Sequence, residues 1–227
     1  MTPDVLSYPD REALSLGLAL RVSDQLKASL DTRARTTLAV PGGTTPGPFL
    51  TALSQRALAW DRVDVLLTDE RFVPETSERS NTALLRRSLL HNQARAARLV
   101  PLVAEARRPE DVLPRLSEGV RAALPLEVCV LGMGADMHTA SLFPGADKLA
   151  EALDANAPPL LPMRAPGAPE PRLTLTAPVL TAAAHLHLLI TGEEKRAALD
   201  AALSDGPAET APVRVLFSRP VTVHWAP

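Results

Sequence analysis

The sequence predicts an α/β protein built on a mostly parallel sheet, and three observations carry that expectation. Short apolar runs at Thr37–Val40, Val63–Leu67, Leu126–Leu131 and Ala184–Ile190 alternate with longer stretches of helical spacing, the order that successive βα units leave in a chain. The run Leu126–Leu131 is apolar apart from Glu127, as a buried strand is. Several of these runs end in turns dense with glycine, hydroxyl and charge, where open α/β sheets place their chemistry.

From Asp10 onward, Leu14, Leu18, Val22, Leu26 and Leu30 recur at every fourth position between Arg11, Arg21, Asp24 and Lys27. That spacing predicts an amphipathic helix lying on the sheet. The strand Thr37–Val40 runs directly into Pro41-Gly42-Gly43-Thr44-Thr45-Pro46-Gly47-Pro48. Two adjacent glycines let a backbone approach a ligand, and Thr45 before Pro46 fits an N-cap with proline in the first helical position. Amides at such a helix start favour a phosphate, although an ordinary strand-to-helix turn would look the same.

The strand Val63–Leu67 delivers Thr68-Asp69-Glu70-Arg71-Phe72-Val73-Pro74. Charges crowded against an apolar strand cost desolvation unless they pair or bind something, so a polar site or a salt-bridged rim is implied. Ser80 and Asn81 then cap a helix through Leu84, Leu85, Leu89 and Leu90, with Arg86 and Arg87 on its solvated face. Arg98–Leu102 reads as a short strand and Asp111–Leu124 as a helix, Pro114 being tolerable only in its first turn.

The densest stretch is Leu131-Gly132-Met133-Gly134-Ala135-Asp136-Met137-His138-Thr139-Ala140-Ser141-Leu142-Phe143-Pro144-Gly145, a turn that could open a helix. Beyond it, the prolines between Pro158 and Pro171 mark an irregular loop or a flap. Arg172–Thr176 and Ala184–Ile190 read as strands, and the second leads through Thr191-Gly192 into a helix with Lys195 in its first turn. A cation is electrostatically misplaced there, which makes Lys195 a better candidate for anion binding than an ordinary surface lysine, with a solvated role as the equal alternative. Val213–Phe217 supplies a final turn and Val221–Trp225 a last strand.

A chain of 227 residues with 46% hydrophobic content can bury its apolar surface in one core, so residues 1–227 are expected to form one domain. The formal net charge of -2 gives no basic bias that would gather nucleic acid or an anionic membrane. The single cysteine, Cys129, has the setting of a small core residue. No cationic start precedes an apolar run at Met1–Tyr8, and no stretch is long and apolar enough for a membrane span, so a cytoplasmic protein is expected.

Several site types can be set aside. Gly132-x-Gly134-x-x-Met137 lacks the third glycine of a dinucleotide fingerprint. No Walker lysine loop, Gly-x-Ser-x-Gly elbow, cysteine pair or His-x-x-x-His is present, so no metal site is expected. His91, His185, His187 and His224 read as structural or exposed. What remains is Asp136-x-His138, suited to general acid–base work on a small substrate, together with the acidic and basic strand end at Asp69–Arg71 and the two phosphate-type turns.

At this point the chain resembles a known family, the 6-phosphogluconolactonases of the glucosamine-6-phosphate isomerase/6-phosphogluconolactonase superfamily. The resemblance rests on Pro41–Pro46, on Asp69-Glu70-Arg71-Phe72-Val73-Pro74 with Ser80-Asn81, and on Leu131–Gly145. Arg172–Thr176 and Thr191–Lys195 extend it more weakly. It implies a three-layer α/β/α, Rossmann-like fold and hydrolysis of 6-phosphoglucono-δ-lactone in the oxidative pentose phosphate pathway, without metal or organic cofactor. It implies a sugar-phosphate lactone as the partner of a monomer or small homo-oligomer.

Carried over by position, His138 would be the general base, with Asp136 tuning it and Asp69 and Arg71 in the catalytic set. Gly42, Gly43, Thr44, Thr45, Arg71, Arg172 and Lys195 would hold the phosphate. Relatives carry Asp-Gly-His where this chain has Met137, a change that costs roughly 1–2 kcal/mol if the position needs positive φ and reshapes the site if it needs a small residue. Two rivals stand beside lactone hydrolysis: a glucosamine-6-phosphate-type isomerase/deaminase, and a catalytically impaired sugar-phosphate-binding protein. The deaminases carry an acid after the histidine, whereas this chain has Ser141-Leu142-Phe143-Pro144.

Overall fold

The first element of the computed structural model, which describes residues 2–227, is a strand that the sequence pattern does not announce. Asp4–Ser7 (β1) has no hydrophobic signal of its own, and becomes a strand by pairing in parallel with the last strand of the chain. The amphipathic helix follows as Arg11–Thr32 (α1). The Asp10 side chain caps it by accepting from the Ala13 amide at 2.8 Å. Leu14, Leu18, Val22, Leu26 and Leu30 are all buried, so the fourfold spacing marks the face laid against the sheet.

Thr36–Val40 (β2), Gly47–Ser54 (α2), Val63–Leu67 (β3), Asp69–Arg71 (β4), Asn81–Ser88 (α3) and Arg98–Leu99 (β5) come next. Leu113–Ala123 (α4) leads to Val128–Gly132 (β6), and Leu149–Leu153 (α5) to Leu160–Met163 (β7). Arg172–Leu175 (β8), Ala177–Thr181 (α6), His185–Thr191 (β9), Glu193–Ala202 (α7) and Thr222–Ala226 (β10) complete the chain. The final turn is a 3-10 helix at Pro212–Ser218, and Pro114 does sit in the first turn of α4.

The main sheet has the order β1-β10-β9-β6-β2-β3-β5, and every neighbouring pair within it is parallel. β2 and β3 are buried at every position, which requires cover on both faces. The fold is therefore a three-layer α/β/α arrangement around a parallel sheet. Cys129, on β6, is fully buried, and burial pushes its thiol pKa up. Among the described residues no helix is long and apolar enough to cross a membrane.

Three expectations need correction. β8 does not join the parallel sheet; it lies between β4 and β7 in a second, antiparallel sheet of order β4-β8-β7. Part of the proline-rich segment is β7, with Pro162 opposite Leu173; the proline is tolerated because β7 is an edge strand of that sheet. None of Pro158–Pro171 lines the cleft described below. The stretch after β6 opens no helix: it remains an irregular loop until α5.

The buried histidines have partners that the sequence did not suggest. The Tyr8 hydroxyl meets His224 Nδ1 at 2.9 Å, His224 Nε2 meets His187 Nδ1 at 3.1 Å, and His187 Nε2 meets Gln25 Oε1 at 2.8 Å. An amide oxygen can only accept, so the chain of bonds is satisfied with both rings neutral and each Nε2 protonated. Burial, aided by His224 and Arg21, pushes the His187 pKa down to about 3; burial and Arg21 push that of His224 down to about 4.

As pH falls below the ordinary histidine value near 6.5, the unfolded chain takes up protons that the folded chain refuses, and stability is lost from there toward pH 4. Urea unfolding at pH 5 is expected to give a free energy about 2–4 kcal/mol below that at pH 7.5. Equal stability at the two pH values would contradict this reading of the pair.

Candidate active site

β2 and β6 are neighbours at the centre of the sheet. From β2 the chain moves outward through β3 to β5, and from β6 it moves the other way through β9 to β10. Loops leaving the carboxyl ends of two such strands diverge, and the crevice between them is where open α/β sheets bind ligands. A cleft of about 340 Å³ lies there. It is lined by Gly42, Gly43, Thr44 and Thr45 after β2, by Gly132, Gly134 and His138 after β6, and by Asp69, Arg71, Arg172 and Lys195.

The loop after β6 is held by its own backbone. The Gly134 amide donates to the His138 carbonyl and the Met137 amide to the Gly134 carbonyl, both at 3.0 Å. Thr139 Oγ1 donates to the Gly132 carbonyl at 2.9 Å, and the Val213 amide fastens the Met137 carbonyl at 3.0 Å. This shape lets one oxygen of Asp136 accept from the His138 amide at 3.2 Å and meet Nδ1 of the same residue at 2.5 Å. Asp136 does not line the cleft; it stands behind His138 and orients it.

Two backbone positions make the shape possible. A Cβ on Gly134 would fall 2.3 Å from the His138 ring and 2.5 Å from Asp136 Oδ1, so only glycine fits there. Met137 has φ of 64°, the left-handed region in which glycine is at ease and methionine is strained. Its side chain packs against the hydrophobic core and is not part of the cleft wall. The departure from Asp-Gly-His therefore costs backbone strain and leaves the cleft its shape.

The charged residues around β4 divide into two roles. Glu70 faces away from the cleft and accepts from the Asn81 and Thr82 amides at 2.8 and 2.6 Å and from the Thr82 hydroxyl at 2.7 Å, so it holds the start of α3. Asp69 faces the cleft, accepts from Ser141 Oγ at 2.6 Å, and pairs with Arg172 Nη1 at 3.5 Å. Burial lowers the Arg172 pKa from its usual value, a shift that Asp69 opposes. The Nε atoms of Arg71 and Arg172 are both buried and have no hydrogen-bond partner among the described residues. Lys195, in the first turn of α7, makes no ion pair among the described residues.

The Gly-Gly-Thr-Thr turn differs in one detail from expectation. α2 starts at Gly47 with Pro46 in the cap position, so Thr45 does not cap it. Prolines 46 and 48 have no amide hydrogen, which moves the anion-facing amides from the helix start back into the loop. Asn81 was not expected in the site. Its Oδ1 accepts from the Gly43 amide at 3.3 Å and its Nδ2 donates to the Asp69 carbonyl at 3.1 Å, so it ties the β2 loop to β4. A Cβ on Gly42 would lie 2.1 Å from that side chain. The place of Asn81 beside the helix-capping Ser80, directly after the charged strand end, was the available signal.

A doubly wound sheet whose switch point carries an orienting carboxylate, a histidine and three cations defines an enzyme for a small anionic substrate. The family model of the glucosamine-6-phosphate isomerases/6-phosphogluconolactonase matches residues 9–225, and the chain belongs to that family. It is 49% identical over 226 residues to a 6-phosphogluconolactonase of Mesorhizobium japonicum, covering 97% of this chain and 94% of that one. It is 42% identical to the 6-phosphogluconolactonase of Rhizobium meliloti over the full length of both. The crystal structure of a 6-phosphogluconolactonase from Shewanella baltica superposes with a TM-score of 0.96 at 30% identity, covering 100% of this chain and 98% of that one.

The two special backbone positions should respond differently to substitution. Gly134→Ala forces His138 and Asp136 apart and is expected to lower turnover by about 100-fold or more, the scale of a misplacement within an active site. Met137→Gly adopts the same φ without strain and should leave turnover within about threefold, because the backbone already has the required conformation. A large gain from Met137→Gly, or indifference to Gly134→Ala, measured as the rate of lactone hydrolysis, would contradict this description of the loop.

Proposed function

We propose that this chain hydrolyses 6-phosphoglucono-δ-lactone to 6-phosphogluconate, with His138 as the general base. The observation that carries the reading is the presence of His138, tied through Nδ1 to Asp136, in one cleft with Arg71, Arg172 and Lys195. Membership of the family and near full-length likeness to proteins named 6-phosphogluconolactonase support the same activity.

In this mechanism the substrate phosphate sits against the cationic wall and the β2 loop, where Arg71, Arg172 and Lys195 supply charge-assisted donors. Asp136 keeps the His138 proton on Nδ1, so Nε2 is the nitrogen that takes a proton from water. The water oxygen forms a bond to the lactone carbonyl carbon, and the carbonyl becomes an oxyanion stabilised by the surrounding positive field. When that intermediate collapses, the bond to the ring oxygen breaks, and the proton held by His138 passes to the departing oxygen. The product is the open-chain acid, which releases its remaining carboxyl proton to solvent to become the carboxylate.

Asp69 has a different task from His138 in this reading. Its carboxylate is buried, bonded to Ser141 and paired with Arg172, so it balances the charge of the phosphate-binding guanidinium. The isomerase/deaminase reading needs an acid in the segment after His138. Ser141-Leu142-Phe143-Pro144 supplies none. The impaired-binder reading loses its main support because the Asp136–His138 pair is intact with methionine at 137. A cytoplasmic location follows as part of the same proposal.

The test is the decay of freshly generated 6-phosphogluconolactone measured against its spontaneous rate. The purified chain should accelerate it, and His138→Ala should lower kcat by about 10²- to 10⁴-fold, the usual contribution of a positioned acid–base group. Undiminished turnover in His138→Ala would remove the histidine from its role; 6-phosphogluconate binding without any acceleration would instead favour the impaired binder.

A further inference from the structure

We propose that Phe143 is a positioning residue that sets the base and the phosphate-binding cation of the cleft at a fixed separation. The inference deepens the lactonase reading and relies on it for the chemistry at the two ends. Its geometric basis is that one ring touches both. The Phe143 ring centroid lies 4.2 Å from that of His138 with the planes 31° apart, and the Arg172 guanidinium carbon lies 5.1 Å from the same centroid. All three side chains line the cleft.

Each end needs the support. Asp136 tethers His138 through one nitrogen only, and it is itself 54% exposed. A single hydrogen bond leaves an imidazole free to tilt about the bond, and a ring packed against its face removes that freedom. Arg172 meets Asp69 at 3.5 Å, beyond ordinary hydrogen-bond length, and its Nε is unpartnered. Asp69 alone therefore leaves the orientation of the guanidinium open. The negative face of an aromatic ring attracts a guanidinium and defines the plane in which it lies.

Phe143 is suited to this because its own segment is anchored. Leu142 is fully buried, the Phe143 carbonyl accepts from the Ala146 amide at 3.1 Å, and Ser141 is bonded both to Asp69 at 2.6 Å and, through its amide, to Thr174 Oγ1 at 3.2 Å. The six residues from His138 to Phe143 thus carry the base, the ring and the hydroxyl that fastens the partner of Arg172. A substrate with its reacting carbonyl at one end and its phosphate at the other is measured against one rigid segment.

The experiment compares Phe143→Leu, which removes the ring, with Phe143→Tyr, which keeps it. Kinetics on 6-phosphogluconolactone, calorimetric affinity for 6-phosphogluconate and the NMR signal of the His138 ring protons are read at a temperature well below each melting point. Phe143→Leu should lower kcat about 10-fold and weaken product affinity about fivefold, the scale of a lost orienting contact. It should also move the His138 ring-proton signals, because the ring current disappears. Phe143→Tyr should stay within about twofold in kcat and affinity.

A Phe143→Leu variant that loses thermal stability but keeps kcat, affinity and the His138 signals would reduce Phe143 to a packing role and overturn the inference. Equal losses in Phe143→Leu and Phe143→Tyr would do the same. Where the leucine variant does not fold, Phe143→Met takes its place with the same expected outcomes. Should the wild-type chain fail to accelerate lactone decay, the lactonase reading falls by itself, and product affinity and the His138 signals still decide the place of Phe143.

Discussion

The adjacency of β2 and β6, two parallel strands whose connections leave in opposite directions, is the constraint on which the rest of the chain depends. It opens a crevice at their carboxyl ends and points two glycine-rich loops into it. Backbone hydrogen bonds saturate the buried strands, so the polar groups left over at their ends are free for a ligand. The Gly-Gly-Thr-Thr turn and the loop carrying Asp136 and His138 are facing halves of one site because the sheet makes them so. The register that fixes this adjacency pairs Leu38 with Val128 and Ala39 with Cys129.

The second constraint is electrostatic. Asp69, Glu70 and Arg172 are largely removed from water, and a lone charge in such a place would cost several kcal/mol. Glu70 is compensated by amides and hydroxyls at the start of α3, and Asp69 by Ser141 and Arg172. The small antiparallel sheet makes the second of these pairings possible: β4 and β8 set Asp69 opposite Thr174 and Arg71 opposite Arg172, which brings the Arg172 guanidinium within 3.5 Å of Asp69 from far along the chain. Arg71, Arg172 and Lys195 then leave an excess of positive charge on the cleft wall, which the phosphate of the proposed substrate would balance.

Local pattern carried the elements whose physics is local. The fourfold leucine spacing of α1, the apolar runs of β2, β3, β6 and β9, and the Ser80 cap of α3 all depend on near neighbours, and all appear where the residues place them. Elements made by distant partners stayed hidden. β1 is four residues whose strand character comes wholly from β10, and β7 carries a proline that only an edge position tolerates. Among the candidate site residues, Asp136, His138, Arg71, Lys195 and the Gly42–Thr45 loop were readable as types of residue in suspect turns, and Arg172 only through the family resemblance. The roles of Asn81, Ser141 and Phe143 were not, because each acts by touching a group at least five residues away in a loop of no regular period.

The most direct test of the two-ended cleft is a crystal structure of the chain with 6-phosphogluconate bound. The phosphate should lie against Arg71, Arg172 and Lys195 beside the Gly43–Thr45 loop, with the carboxylate carbon next to His138 Nε2. A product bound with its carboxylate among the cations and its phosphate at His138, or seated outside the crevice between β2 and β6, would contradict the assignment of both ends.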